Sequence, residues 1–354
     1  MSGRGAGAPG EGQRGGSRPG VGSAGESRSS ERRPDVETHR ERRPVPGAPG
    51  EGPLSGGGRL LVVGDLATDV VAVHDRPLAV ATDTAAHVVL RPGGAAANVA
   101  AWAAAQGAEV TLLARVGAAT AEQHRAELRR AGVCPVLRED PDRPTATIVC
   151  LVDSTGERTM LNDRGAGAAL GPADWDESLL DDAARVHLSG YLLFSAPGRD
   201  LAALILARCR ARSVPVSVDP ASAGPLARLG PQTFLDLVNG VDLLLPNQDE
   251  VRLLGGHRDA ETAGLRLAER TGALVVVKRG ADGVVLCRPD GTLLGRVPTP
   301  EAKVVDTTGA GDSFAGAFLA ARLTGASPLT AAAAGCAAAA RCVTHPGARP
   351  AEDL

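Results

Sequence analysis

Short apolar runs recur along this chain, and most of them end at a glycine or a polar turn. The first run, Arg59-Leu-Leu-Val-Val-Gly64, predicts a buried strand. Further strands are predicted at Arg185–Leu188, Val214–Val218, Asp242–Leu245 and Leu274–Lys278, each separated from the next by a helical segment. Because alternating β and α elements favour a mostly parallel sheet with helices on both faces, the pattern predicts an α/β fold.

Other runs do not fit this alternation. Two short runs, Val70–Val73 and His87–Leu90, lie between polar turns, and Pro144–Val152 and Glu157–Leu161 flank the turn sequence Asp153-Ser-Thr-Gly156. We therefore predict a separate small sheet, for which a lid over a binding site is one plausible use. The remaining predicted elements are helices at about 95–106, 121–131, 310–323 and 328–342, a strand at 109–116, and a late antiparallel pair at 284–287 and 293–297.

Residues 1–58 differ in composition from the rest of the 354-residue chain, since they are rich in Gly, Arg, Pro, Ser and Glu and hold almost no large apolar residues. Such a segment cannot bury enough apolar surface to offset the entropy lost on ordering. We expect a disordered N-terminal extension. An unstructured segment or a start codon placed too early is the simpler interpretation, and a functional tail is the alternative.

Composition narrows the function classes. The net charge of −3 and the absence of a basic, aromatic-rich stripe argue against nucleic acid as a partner. The six cysteines are dispersed without a C-x-x-C pair, which is typical of reduced thiols. No apolar run approaches the ~20 residues needed to cross a bilayer. These features predict a cytoplasmic protein that has no membrane partner.

One stretch near the C-terminus carries most of the chemistry: Asp306-Thr-Thr-Gly-Ala-Gly-Asp312-Ser-Phe-Ala-Gly-Ala-Phe318. Two glycines lead into small helix-forming residues, so an open helix N-terminus is expected, with unpaired N–H groups and a partial positive charge. Gly309 and Gly311 would let an anion approach those donors. Asp312 would repel a bound phosphate, so we predict that it accepts a proton from a hydroxyl that attacks phosphorus.

Two common phosphate-binding motifs do not match this stretch. A dinucleotide fingerprint needs a third glycine where Phe314 stands and a position early in a βαβ unit. A P-loop needs Gly-Lys before Ser or Thr, and neither lysine of the chain follows a glycine. A plain helix start with an acid in its first turn stays open as the non-functional alternative.

Three motifs together resemble the PfkB/ribokinase family of carbohydrate kinases. The stretch 306–318 resembles its C-terminal motif, Gly93-Gly-Ala-Ala-Ala-Asn98-Val-Ala resembles its N-terminal motif, and Pro246-Asn247-Gln-Asp-Glu250 resembles its N-x-x-E motif. The resemblance implies a kinase domain over 59–350 with a three-layer α/β/α, ribokinase-like (Rossmann-like) core. It also implies a small β-sheet lid, formed here by segments of about 68–90 and 144–163.

The resemblance also assigns roles by position. Asp312 would be the catalytic base, and the amides of Gly309, Ala310 and Gly311 would form an anion hole for the transferring phosphoryl group. The acceptor-binding residues would be Asp69, Gly93, Gly94 and Asn98. A carboxylate beside an amide suits vicinal hydroxyls. A solvated turn acid is the simpler interpretation of Asp69.

ATP would be the donor, with Mg²⁺ as cofactor. Asn247 and Glu250 follow a predicted strand, at the edge where ligands bind in open α/β sheets, and Glu250 would hold Mg²⁺ through bound water. Asn247 also suits a helix N-cap, and the two roles are compatible. Lys278 and Gly280 resemble the nucleotide-side turn, although a surface lysine at a strand end is an equal alternative for Lys278. Asp306 and Thr308 resemble a monovalent-cation (K⁺) site of some members.

The predicted function is ATP-dependent phosphorylation of a hydroxyl on a sugar or sugar-like acceptor. Ala95-Ala96 stands where ribokinases usually carry Lys-Gly, which favours a fructokinase-like or 2-keto-3-deoxygluconate-kinase-like acceptor over ribose. A nucleoside kinase is the alternative enzyme, and an inactive sugar-binding regulator is the alternative outside the enzyme class. The resemblance further implies a homodimer joined through the lid.

Overall fold

The computed structural model describes residues 58–154 and 158–351. The predicted disordered extension lies outside the described residues except for Gly58, and the turn predicted at 153–156 is described only in part. Within the described residues, no helix combines the length and the apolar character that a membrane span requires. The lid-mediated homodimer stays a prediction.

The described residues form thirteen strands and nine α-helices, with several short 3₁₀ turns between them. The strands are β1 Arg59–Val63, β2 Ala67–Val73, β3 His87–Gly93, β4 Val110–Gly117, β5 Val133–Asp140, β6 Ala146–Val152, β7 Arg158–Asp163, β8 Ala183–Ser189, β9 Val216–Asp219, β10 Leu243–Leu244, β11 Leu274–Lys278, β12 Val284–Cys287 and β13 Leu293–Val297. The helices are α1 Ala95–Ala105, α2 Ala121–Arg130, α3 Ala196–Arg212, α4 Ala223–Leu229, α5 Pro231–Leu237, α6 Gln248–Gly255, α7 Ala260–Thr271, α8 Ala310–Leu323 and α9 Pro328–Cys342.

The main sheet has nine strands in the order β13-β12-β11-β10-β9-β8-β1-β4-β5. The seven strands from β11 to β5 are parallel, and β12 and β13 add an antiparallel edge. This confirms the mostly parallel sheet and the late antiparallel pair. Strand β5 was not predicted from the sequence. It lies at the sheet edge and contains Pro135, a residue that weakens a strand pattern and that sheets tolerate mainly at their edges.

Helices cover both faces of this sheet, which confirms the three-layer architecture. Because side chains alternate between faces along a strand, Leu61 and Val63 of β1 join one core cluster while Leu60 and Val62 join the other. Residues of α3 to α7 complete the first cluster, and residues of α1, α2, α8 and α9 complete the second. Alanine and other small side chains let the helices of the second cluster pack closely.

The close approach of α1 and α8 positions the start of each helix. A Cβ at Gly316 of α8 would lie 2.6 Å from the carbonyl oxygen of Val99 and 2.7 Å from Cβ of Trp102, so only glycine allows this spacing. The first turns of the two helices therefore lie side by side at one end of the sheet, and residues from both reach a common point.

The small sheet has four strands in the order β3-β2-β6-β7. Its outer pairs are antiparallel, but its central pair, β2 and β6, is parallel. The separate small sheet is thus confirmed, and the parallel pairing of β2 with β6 at its centre was not predicted from the sequence. Since β2 and β6 are far apart in sequence, no hairpin turn fixes their direction, and local patterns do not reveal it.

Candidate active site

The first turn of α8 has the open geometry that the glycine-rich stretch predicts. Gly309 is the N-cap, with φ at 76°, in the left-handed region that favours glycine. A Cβ there would also lie 2.6 Å from Cα of Ala348. The first N–H groups of a helix have no acceptor within it, so this end of α8 presents donors and a partial positive charge.

Asp312 lies in this first turn and is partly buried. Its Oδ2 accepts a hydrogen bond of 2.9 Å from Nδ2 of Asn98, in the first turn of α1. Burial raises the pKa of Asp312 to about 7, because the Asn98 hydrogen bond and the Lys278 charge, which both lower it, only partly offset desolvation. A carboxylate with such a pKa is suited to accept a proton near neutral pH.

Asp312 lines two adjoining cavities. The strand-end cavity, of about 340 Å³, is bounded by the start of α8 and by Asp219, Glu250, Lys278 and Gly280 at the ends of the main strands. The small-sheet cavity, of about 690 Å³, lies beneath β2 and β6 and is lined by Asp69, Gly94 and Asn98, among others. Asp312 thus faces both spaces, so a group bound in one meets a group bound in the other at this carboxylate.

Lys278 is the central cation of the strand-end cavity. Its ammonium donates to Oδ2 of Asp219, and a Cβ at Gly311 would lie 3.3 Å from Nζ. Burial lowers the pKa of Lys278, but the neighbouring carboxylates of Asp219 and Glu250 outweigh that effect and raise it. The ammonium is therefore charged and lies beside the first turn of α8, and the alternative of a surface lysine was wrong.

Asn247 and Glu250 form a capping box at the start of α6. Oδ1 of Asn247 accepts from the Asp249 and Glu250 amides at 2.9 and 3.0 Å, while Glu250 accepts from the Asn247 amide at 2.8 Å. The predicted N-cap is confirmed. Glu250 is 1% exposed, and burial followed by repulsion from Asp219 raises its pKa to about 7.

Asp69 is the carboxylate of the small-sheet cavity. Burial raises its pKa to about 6, with Arg349 opposing the shift, and its buried Oδ1 has no hydrogen-bond partner among the described residues. A buried oxygen without a donor is costly unless a ligand supplies one. Gly94 and Asn98 line the same cavity, whereas Gly93 lies behind Asp69 and contributes space instead of a contact.

The glycine at position 93 sets the position of Asp69, because an added Cβ would lie 2.1 Å from Oδ1. We expect Gly93→Ala to displace this flexible carboxylate and raise the acceptor KM by roughly tenfold, the loss of about one hydrogen bond. The KM for ATP should not change. Gly224→Ala in α4, where the nearest atom to a Cβ is an arginine tip at 3.9 Å, is the matched control. An unchanged acceptor KM would contradict this role.

Comparison with known proteins agrees with this geometry. The profile of the pfkB family carbohydrate kinases matches residues 58–353. The chain belongs to the pfkB family. It is 33% identical to the ATP-dependent ribose-1-phosphate kinase of Halopiger xanaduensis over 66% of this chain and 73% of that protein. It is 30% identical to the 2-dehydro-3-deoxygluconokinase of Thermoproteus tenax over 76% of this chain and 83% of that protein.

Solved structures show the same relationship. Arabidopsis thaliana ribokinase complexed with ribose and ATP superposes with a TM-score of 0.69 at 25% identity, covering 84% of this chain and 96% of that one. Ribokinase from Thermotoga maritima gives a TM-score of 0.69 at 27% identity, covering 84% and 97%. The predicted fold class and the predicted class of enzyme, an ATP-dependent carbohydrate kinase, are confirmed.

The residues around Glu250 suit a pfkB kinase that uses Mg²⁺. Asp219 and Glu250 place two carboxylates at the strand-end cavity, and their mutual repulsion raises the pKa of Glu250. No cluster of three or more His, Cys, Asp or Glu side chains able to hold a metal occurs among the described residues. A site with few protein ligands suits Mg²⁺, which keeps several waters and binds substrate phosphates.

Asp306 and Thr308, the predicted monovalent-cation residues of this pfkB kinase, lie on the loop before α8. Oδ1 of Asp306 accepts from the Thr308 amide at 2.8 Å and the Thr308 hydroxyl at 2.6 Å, and Oδ2 accepts from the Gly347 amide at 2.9 Å. These bonds tie the loop to the segment after α9. The K⁺ site itself stays a prediction.

Three site residues were not predicted from the sequence. Asp65 accepts from the Ala95 amide at 2.6 Å and so fixes the start of α1. Asp219 pairs with Lys278, and Arg349 donates to the Gly93 carbonyl at 3.2 Å. Asp65 and Asp219 follow or end strands of the main sheet, and that position was an available signal. Arg349 lies after the last helix, where no local pattern marks it.

Proposed function

We propose that this pfkB kinase transfers the γ-phosphoryl group of ATP to a hydroxyl of a sugar or sugar-like acceptor, with Asp312 as the general base. The observation that supports this most directly is that Asp312 lines both cavities. ATP phosphates would occupy the strand-end cavity, and the acceptor would occupy the small-sheet cavity beneath β2 and β6, whose sheet would act as its lid. The reacting atoms would meet at the first turn of α8.

In this mechanism Asp312 accepts the proton of the acceptor hydroxyl as its oxygen attacks phosphorus. The amides of Gly309, Ala310 and Gly311 donate to the phosphoryl oxygens, that of Ala310 in exchange for its 3.3 Å bond to the Thr307 carbonyl. Lys278 adds a positive charge beside the same amides. Mg²⁺, held near Glu250 through water, would supply further positive charge to the phosphates. Asp69 and Asn98 orient the acceptor through its hydroxyls.

The acceptor of this kinase is the finer part of the proposal. A fructokinase-like or 2-keto-3-deoxygluconate-kinase-like acceptor stays our preference over ribose, because Ala95-Ala96 stands where ribokinases usually carry Lys-Gly. The relatives include a 2-dehydro-3-deoxygluconokinase and a ribokinase, so both kinds of acceptor belong in a test. An ADP-release screen over sugars, sugar acids and nucleosides tests the proposal. ADP release that no acceptor stimulates would contradict it.

The pH dependence of kcat/KM offers a second test of Asp312. Because the base must be ionised, kcat/KM should rise with pH through about 7. Glu250 has a raised pKa of about 7 as well, so the wild-type profile alone does not identify the group. The Asn98 hydrogen bond lowers the pKa of Asp312, so Asn98→Ala should move the rise to higher pH. Asn239→Ala, on an exposed turn, is the control. A profile that Asn98→Ala does not shift would assign the rise to another group.

A further inference from the structure

Arg349 is a partly buried cation in the segment that follows α9. Its Nη2 donates to the Gly93 carbonyl at 3.2 Å, and its Nε donates to Oδ1 of Asn98 in a long hydrogen bond of 3.5 Å. Burial lowers the pKa of its guanidinium to about 10, although the charges of Glu127 and Asp69 oppose that effect. The guanidinium thus joins the C-terminal segment to the residue that donates to Asp312.

The backbone on either side of this contact is anchored independently of the arginine side chain. The Ala348 carbonyl accepts from Nε1 of Trp102 in α1 at 2.8 Å, and the Gly347 amide donates to Oδ2 of Asp306 at 2.9 Å. Ala348 itself is buried. Replacement of the Arg349 side chain leaves both anchors in place, so its effect on Asn98 can be separated from the folding of the segment.

The side-chain amide of Asn98 is held at both of its ends. Its Oδ1 accepts from Arg349, and its Nδ2 donates to Oδ2 of Asp312 at 2.9 Å. The reversed amide would place N–H groups against the guanidinium, which has no acceptor, and an oxygen against the carboxylate. Arg349 therefore favours the one orientation in which Asn98 acts as a donor towards Asp312.

This orientation matters most when Asp312 is protonated. A protonated carboxyl carries an O–H that needs an acceptor, and Oδ1 of Asn98 is already occupied by Arg349. Without Arg349, the amide can rotate by half a turn and accept from the protonated acid, which stabilises the proton-bound form. Arg349 thus favours the ionised form of Asp312, and it does so through Asn98.

We propose that Arg349 is a positioning residue that fixes the amide of Asn98 as a hydrogen-bond donor to Asp312 and so keeps this base ready for the acceptor proton. The proposal rests on the proposed kinase function. Arg349 lines neither the strand-end cavity nor the small-sheet cavity, so its role does not require contact with a substrate. The other titratable groups that interact with Asp312 stay unchanged when Arg349 is replaced: Asp65, Asp219, Lys278, Tyr191 and Cys342.

The test is a double-mutant cycle read by NMR titration of the free enzyme, with aspartate labelled by ¹³C at Cγ. The Asp312→Asn and Asp69→Asn variants assign the two signals. Arg349→Met should raise the pKa of Asp312 by roughly one unit, the worth of one hydrogen bond to a charged group. In an Asn98→Ala background the same substitution should leave that pKa unchanged. The pKa of Asp69 should rise in both backgrounds, because the charge of Arg349 acts on it directly.

Arg341→Met is the matched control, because Arg341 is an exposed arginine in the last turn of α9. No change in the pKa of Asp312 with Arg349→Met would reduce Arg349 to a structural role and overturn the proposal. An equal rise in both backgrounds would also overturn it, since the charge would then act without Asn98.

The pH profile of kcat/KM separates this inference from the kinase proposal. With Arg349→Met, the rise of kcat/KM should move to higher pH together with the pKa of Asp312. ADP release whose pH profile does not move would overturn the role of Arg349 and leave the kinase proposal intact. The expected NMR cycle without ADP release from any acceptor would support the contact through Asn98 and contradict the kinase step instead.

Discussion

Asp312→Asn should lower kcat by about 10²–10⁴-fold, the range that a positioned general base contributes. The substitution keeps the shape of the side chain and an oxygen that accepts the Asn98 hydrogen bond, but it removes the basic carboxylate. ATP binding should stay near the wild-type value, because the amides of the α8 turn and Lys278 are unchanged. Acceptor-stimulated ADP release measures the first effect, and calorimetric titration with ATP measures the second.

The Asp312→Asn variant also distinguishes the loss of the general base from the loss of charge repulsion between this carboxylate and the phosphates. A carboxylate beside the transferring phosphates disfavours their binding, so its removal should leave ATP binding equal or slightly tighter. Asp181→Asn is the matched control, since this side chain is 67% exposed and pairs with Arg212 on the surface. A variant that retains kcat within a few-fold of wild type would contradict the role of Asp312.

The sequence predicts the part of the site that one continuous segment builds. Gly309, Gly311 and Asp312 belong to a single helix start, so their relative positions follow from local geometry. The capping box of Asn247 and Glu250 is equally local. The fold class follows from the alternation of strands and helices, which needs no knowledge of which strands are neighbours.

Contacts between distant segments were not available from the sequence. Asp219 and Lys278 lie 59 positions apart, and Asn98 and Asp312 lie 214 apart, so only the assembled sheet and the α1–α8 packing bring each pair together. The parallel pairing of β2 with β6 is of the same kind. The N-terminal motif predicted Asn98 as a residue of the acceptor pocket. Its hydrogen bond to Asp312, however, depends on Gly316, which sets the spacing between α1 and α8.

Three carboxylates of the site carry an electrostatic cost of burial. Burial raises the pKa of Asp69, Glu250 and Asp312, so at neutral pH the folded chain holds negative charge that is poorly solvated. A carboxylate with a raised folded pKa contributes stability below its unfolded pKa and loses it as pH rises through the folded value. These three carboxylates therefore lower the free energy of unfolding as the pH rises from about 4 to 7. Positively charged side chains near them offset part of that loss.

Lys278→Met should be the most destabilising single change at this site. It leaves the carboxylates of Asp219 and Glu250 buried without their cation, and removal of one partner of a buried pair costs about 3–5 kcal/mol. Without Lys278, the pKa of Glu250 rises further above its unfolded value. The loss in free energy of unfolding should therefore be largest above pH 7 and shrink towards pH 5, where Glu250 takes up a proton. Urea denaturation at pH 5 and at pH 8 measures this free energy.

Lys303→Met is the matched control, because Lys303 is the only other lysine of the chain and is exposed. The double variant Asp219→Asn with Lys278→Met should recover part of the lost stability, since it removes one of the two uncompensated charges. A loss that is equal at pH 5 and pH 8 would assign the effect of Lys278 to packing of its methylene chain instead. A loss in free energy of unfolding that grows with pH would show that the charge interaction of Lys278 with Asp219 and Glu250 stabilises the strand-end cavity.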